Sequence, residues 1–314
     1  IGEMITDLFT ATVLVGVISS GVRLATSYLY AAIGETIGQI SGVLNLGVEG
    51  IMLVAAFAAY YVVYTTNDLL LGLGVAIVVG GVMGLLMAFI SVTLKAEQGI
   101  SGIGLYLFGL GLSDLLFRVT IGTPKTVNGF QNVTIPVLTD LPVLGPIFFN
   151  QNVLVYGAFA LIPITWFVLN KTTLGLLIRS VGQNPEAADS LGVSVARVRY
   201  TAVIVGGVFS GIAGASLSIA LLNVFQQNLT SGQGFIAVAL VYFGGWRPFR
   251  VMIGALLFSM VNALQLWIQI LGIPLSSDLA VMMPYILTIV ALVFAARLTV
   301  TQPAALTKPF ERGE

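Results

Sequence analysis

The sequence predicts an all-α, polytopic transmembrane helical bundle. Three observations carry this: an extreme apolar composition, a run of apolar stretches long enough to cross a bilayer, and basic residues gathered on one side. The 314 residues are 57% hydrophobic and 8% charged, whereas soluble domains carry about 25% charged residues. A water-soluble fold of this length could not hide so much apolar surface, so lipid is the natural solvent. The mean hydropathy of +1.02 agrees. The formal net charge is zero, so no long-range field draws in nucleic acid or an acidic partner. Cysteine and histidine are both absent. That removes disulfides, thiol chemistry, the commonest metal ligand and the commonest general base. Residues 1–7 are acidic, with no basic n-region of a cleavable signal peptide.

A helix crosses the hydrocarbon with about 20 apolar residues. On that measure about nine spans are expected, near 8–33, 43–64, 69–93, 99–119, 152–170, 200–222, 234–246, 250–271 and 279–297. The seventh is too short to cross alone. It reads either as a half-helix or as a segment continued outward through a polar stretch. If the loop 171–200 faces the cytoplasm, alternation puts Lys95, Lys171, Arg179, Arg197, Arg199, Arg247, Arg250, Arg297, Lys308 and Arg312 inside. Only Arg118 and Lys125 fall at the outer face, and Arg23 lies within the first span. This is a strong positive-inside bias. It implies an outer N-terminus and a cytoplasmic C-terminus, and a multi-pass protein of the plasma (inner) membrane is expected. One transmembrane domain, 1–314, is expected, with a cytoplasmic loop at 171–200 and an outer loop at 120–151.

Two stretches depart from ordinary spans. Gln39 to Gly50 mixes glycines with Asn45 and Glu49, and a second runs from Ser231-Gly232-Gln233-Gly234 to Gly244-Gly245-Trp246-Arg247-Pro248. Backbone groups freed at membrane depth must be satisfied by protein or water, and transporters place such broken helices near binding sites. Gly80-xxx-Gly84 and Gly207-xxx-Gly211 read instead as close helix packing. A charge at mid-bilayer costs about 2.5–3.5 kcal/mol even on lenient scales, so intramembrane polar groups are the default solute-path candidates. These are Asn45, Glu49, Asn262 and Gln265, with Gln269 extending the last pair along one helix face. Glu49 has a second reading, as partner to the amino end of a half-helix at Gly47–Gly50. Arg23 either snorkels to an interface or faces the pore. Asp114 and Arg118, four apart, read as an ion pair.

The loop 171–200 is the most specific segment. Asn184 suits a helix N-cap, Pro185 the first turn and Gly192 the stop. Glu186 and Asp189 sit toward the positive end of the dipole. A helix of about two turns outside the membrane is predicted, on which Ala187 and Ala188 offer a nearly bare face.

The run Val181-Gly182-Gln183-Asn184-Pro185-Glu186-Ala187-Ala188 resembles the coupling helix of ATP-binding-cassette importer permeases. Together with Ile40-Ser41-Gly42-Val43-Leu44-Asn45-Leu46-Gly47-Val48-Glu49-Gly50, Gly234 to Ala239 and Phe243 to Pro248, it makes the chain similar to the permeases for branched-chain amino acids, ribose-type sugars and nucleosides. Asn262 to Gln269 and Met283 to Thr288 look like the late segments of the nucleoside branch. The resemblance implies an importer subunit that moves a small polar solute, a nucleoside above all, by alternating access. The alternatives are a simple sugar or a branched-chain amino acid as cargo, or a secondary transporter. It implies that Asn184, Pro185, Glu186, Ala187, Ala188 and Gly192 engage a cytoplasmic ATPase. It also implies a second permease that is a related but different chain, an external substrate-binding protein, and broken helices with an internal inverted repeat. No Gly-x-x-x-x-Gly-Lys-[Ser/Thr] run occurs. ATP and Mg²⁺ therefore belong to the partner, and no cofactor is expected here. An intramembrane enzyme is disfavoured. There is no Gly-x-Ser-x-Gly elbow, and Glu35, Glu49 and Asp114 form no paired-carboxylate motif.

Overall fold

The computed structural model describes residues 10–134, 143–271 and 302–311, with 136, 139, 141 and single positions between 282 and 293. Among the described residues, seven helices are long and apolar enough to cross a membrane. They are α1 (Ala11–Ile40), α2 (Val48–Thr66), α3 (Leu69–Ala88), α4 (Gln98–Thr120), α6 (Val153–Lys171), α9 (Val195–Ser216) and α11 (Pro248–Ile270). The shorter helices are α5 (Leu144–Phe148), α7 (Thr173–Gln183), α8 (Pro185–Ser190) and α10 (Gln233–Gly244). Single π turns extend α3 over Phe89–Thr93 and α9 over Leu217–Leu221. The protein is thus a helical bundle able to pass a membrane several times. The expected ninth span, 279–297, falls largely outside the described residues.

Helix starts follow the local chemistry. Side chains of Asp68, Glu97, Asn152, Thr172, Asn184 and Ser194 accept from first-turn amides of α3, α4, α6, α7, α8 and α9. Glu97 lies outside the spans, and the Ile100 and Gly99 amides hold its carboxyl below the usual glutamate range. The first helix runs to Ile40, seven residues beyond the span expected from the sequence, because the polar run Glu35–Gln39 stays helical and finds partners inside the bundle.

The inner layer is α2 and α9. In each, 72% of the core window is buried, against 28% in α3 and α4. The glycine pairs explain how α9 reaches the middle. A Cβ on Gly80 would lie 2.4 Å from the Gly207 carbonyl oxygen, and one on Gly207 would lie 2.7 Å from Gly84 Cα. The two small-residue motifs therefore pack on each other, as expected of each. The outer layer turns aliphatic side chains outward: Val78, Ile100 and Val119 are 63%, 74% and 76% exposed. In water such a surface would be a liability; in lipid it is the solvated face.

The loop 120–151 is not irregular throughout. Asn132–Thr134 (β1) pairs antiparallel with Asn150–Asn152 (β2), two short strands absent from the all-α expectation. The pairing satisfies backbone groups where the loop closes on α6. The loop is also tied to the end of α9. Val127 N donates to Asn223 O at 2.9 Å, and Phe130 N to Ile219 O at 3.0 Å, using carbonyls at and just beyond the π turn. Lys125 Nζ reaches the Tyr64 hydroxyl at 2.9 Å, and that bond raises the ammonium above the ordinary lysine range.

Candidate functional site

The break between α1 and α2 occupies residues 41–47. Its backbone groups are satisfied by side chains from inside the bundle. Glu35 Oε1 accepts from Asn45 N at 2.9 Å and from Gln39 Nε2 at 3.0 Å. Gln39 Oε1 in turn accepts from Trp246 Nε1 at 2.8 Å. Gln98 Oε1 takes the Leu44 amide at 2.8 Å, and Asn45 Oδ1 folds back onto the Gly47 amide at 2.9 Å. Asn45 therefore shapes the turn that starts α2.

Glu49, in the first turn of α2, joins this break to the second one. Its Oε1 accepts from Thr230 Oγ1 at 2.5 Å and from Gly232 N at 2.7 Å; its Oε2 accepts from Gly234 N at 2.5 Å. A carboxylate thus sits on the amino end of α10, where the dipole and the free amides favour negative charge. The sequence reading of Glu49 as a dipole partner thus has a concrete form, but the half-helix is α10 and not the Gly47–Gly50 turn. Gly234 permits the approach: a Cβ there would lie 2.6 Å from Glu49 N and Cα. With 12 residues, α10 rises roughly 18 Å, too little to cross alone.

A third polar group was not selected from the sequence, apart from Arg23. Arg23 does not snorkel. Its Nε donates to Gln151 Oε1 at 3.2 Å, and Gln151 is fully buried. Gln151 Nε2 donates to Ile147 O at 2.9 Å, and Ser27 Oγ donates to Gln233 Oε1 at 2.7 Å. Arg23, Thr26, Ser27, Asn152 and Ser216 line a small enclosed cavity, in which the buried Thr26 hydroxyl has no partner. At about 10 Å³ it is at the lower limit of the space one water needs. Gln151 and Asn152 lie at the mouth of α6, after a 30-residue loop, so no local spacing could have linked them to Arg23.

The remaining solute-path candidates are on α11. Gln265 is buried, Asn262 half-buried and Gln269 exposed. No hydrogen bond links them to Glu49, Asn45 or Arg23 among the described residues. Asp114 and Arg118 form the expected ion pair at 3.0 Å.

On the face opposite the loop 120–151, α8 has the predicted cap. Asn184 Oδ1 accepts from Ala187 N at 3.0 Å, and Gly192 ends the turn at φ +85°. Its six residues are shorter than the two turns expected. The alanines divide: Ala187 is exposed, while Ala188 is buried in a small cluster with Val181 and Val195. Glu186 and Ala187 thus form the outward side, and Ala188 anchors the helix to the bundle.

A family profile described as the branched-chain amino acid transport system permease component matches residues 17–292. The chain is 42% identical to a provisionally named glucose ABC transporter permease of Haloferax volcanii, over 84% of this chain and 80% of the relative. It is 36% identical to a guanosine ABC transporter permease of Bacillus subtilis, over 85% of this chain and 88% of the relative. A nucleoside ABC transporter permease of Lactococcus lactis matches at 34%, over 85% and 88% respectively. In B. subtilis and L. lactis a second permease of the same cargo name matches at 25% and 24%. No solved structure matches. The chain therefore belongs to the branched-chain amino acid transport system permease family, the membrane-spanning and non-enzymatic components of ABC transporters.

Proposed function

We propose that this chain imports a nucleoside by alternating access, driven by a separate ATP-binding-cassette ATPase that holds the ATP and Mg²⁺. The observation that carries the reading is the joined pair of broken helices. Glu49 ties the start of α2 to the amino end of α10, and transporters build their solute sites at such discontinuities. Asn45 and Glu49 set the geometry of this region. Gln265 and Asn262 on α11 supply donors and acceptors for the hydroxyls and ring atoms of the solute, and the Arg23–Thr26 cluster does so only once the bundle opens, since its cavity of about 10 Å³ admits no solute as it stands. The relatives named for guanosine and nucleosides favour this cargo. A simple sugar is the second reading, favoured by the 42%-identical glucose relative.

Asn184, Pro185, Glu186, Ala187 and Gly192 form or shape the outward side of α8, which meets the ATPase, with Ala188 as its anchor. The basic bias supports a cytoplasmic position for this face and an outer position for the loop 120–151, on which side a substrate-binding protein would deliver cargo. We infer about nine crossings and an internal inverted repeat, which the two broken helices support. The paired permeases of B. subtilis and L. lactis favour a second, different chain beside this one. The test is uptake by the reconstituted complex of both permeases, ATPase and binding protein. Labelled nucleoside should enter and be displaced by unlabelled nucleosides, and Thr26→Val and Gln265→Ala should each reduce uptake with assembly intact. Displacement by glucose alone would move the cargo to the second reading. Full uptake in both variants would remove Thr26 and Gln265 from the path.

A further inference from the structure

Residues 302–311 lie across the cytoplasmic end of the bundle and join elements far apart in sequence. Ala305 N donates to Gly182 O at 2.9 Å, in the last turn before α8. Thr307 N donates to Gly42 O at 3.2 Å, in the break before α2. The fully buried Arg199 of α9 ties the two together: Nε donates to Ser41 O at 3.3 Å and Nη1 to Lys308 O at 2.9 Å. Gly42 sits at φ +96°, and a Cβ there would meet Arg199 Nη2 at 2.9 Å and Ala305 O at 3.0 Å. Lys95, between α3 and α4, pairs with Glu311 at 2.6 Å. Phe310 packs on the Val181, Ala188 and Val195 cluster that anchors α8.

Between this segment and α8 runs a groove of about 570 Å³, open to solvent. One wall is Asn184, Pro185 and Glu186; the other is built from residues 304–311. Any body seated on the outward side of α8 at its amino end lies against residues 304–311 as well. We propose that the 302–311 segment is the second wall of the ATPase-docking site, and that the ATPase inserts an element into this groove. The proposal rests on α8 being the ATPase contact. Continuity selects the occupant, because the groove has the exposed Asn184 and Glu186 of α8 on one side and the exposed Ala304, Lys308 and Pro309 on the other. The same bonds give a route for the push. Force on the groove reaches Gly42 and Ser41 through backbone hydrogen bonds, and the break they occupy leads directly into α2 and Glu49.

The absence of cysteine makes the test clean. Glu186→Cys and Ala304→Cys are made singly and assembled into the full transporter. Each is treated with a short bifunctional maleimide against a single cysteine series on the ATPase surface. Cross-linking of both positions to the ATPase, at neighbouring ATPase sites, is expected. Cross-linking from Glu186→Cys but from no ATPase position to Ala304→Cys overturns this inference and leaves the α8 reading intact. No cross-link from either position overturns both. As a second measure, Ala304→Trp fills the groove from an exposed position. It should lower ATPase retention on the purified permease pair by about tenfold; unchanged retention contradicts the docking wall.

Discussion

At the scale of single residues, Glu49 is the decisive side chain. Three donors converge on its two oxygens, two of them backbone amides at the start of α10. Hydrogen bonds to a charged acceptor contribute about 1.5–3 kcal/mol each, and a buried donor left unpaired costs a similar amount. Glu49→Gln keeps the shape but turns an acceptor into a donor facing another donor. It should lower the thermal midpoint of the purified permease and abolish uptake, at a cost of at least about 2 kcal/mol. An unchanged midpoint would mean that α10 is held elsewhere. Glu49 was legible in the sequence because a carboxylate among glycines in an apolar stretch is rare. Its partners were not, since Thr230, Gly232 and Gly234 lie some 180 residues on and nothing local points to them. Arg23 was visible for the same reason as Glu49, while its partner Gln151 reads as an ordinary loop residue.

At the scale of elements, what the sequence made legible was whatever depends on local chemistry. Span limits follow apolar runs, and the start of α8 follows Asn184 and Pro185. Where tertiary partners decide, the reading failed. α1 continues through Glu35 and Gln39 because Asn45 and Trp246 satisfy them. Likewise β1 and β2 form because the loop 120–151 must close on itself. Ala188 is turned inward by the neighbouring Val181 and Val195, which a bare Ala-Ala pair cannot reveal. The glycine motifs give the element-level prediction. Gly207→Ala puts a Cβ 2.4 Å from the Gly80 carbonyl oxygen, whereas Gly104→Ala meets nothing within 4 Å. Overpacking of this kind costs about 1–3 kcal/mol. Gly207→Ala should therefore melt earlier than wild type, and Gly104→Ala should not. Equal midpoints for the two variants would show that α3 and α9 do not need contact at this distance.

At the scale of the whole molecule, three features align along one axis. The loop 120–151 is tied to the π turn of α9 at one end, the two broken helices meet at Glu49 in the middle, and α8 with residues 302–311 covers the other end. The π turn also lines the Arg23 cavity through Leu217, Ala220 and Leu221, so the loop 120–151, the cavity and α9 form one connected unit. Composition was enough to read a membrane bundle, and the basic bias supplies the direction proposed for it. They could not reveal that a segment past residue 300 returns to brace the break before α2. The central claim is that transport through this chain is driven by an ATPase acting on the α8 face. The most direct measurement is uptake by proteoliposomes holding the permease pair and binding protein, with and without the ATPase, under imposed ion gradients. The account predicts that labelled nucleoside accumulates only when the ATPase and ATP are present on the α8 side, and that gradients alone move none. Accumulation driven by a proton or sodium gradient without the ATPase would contradict it.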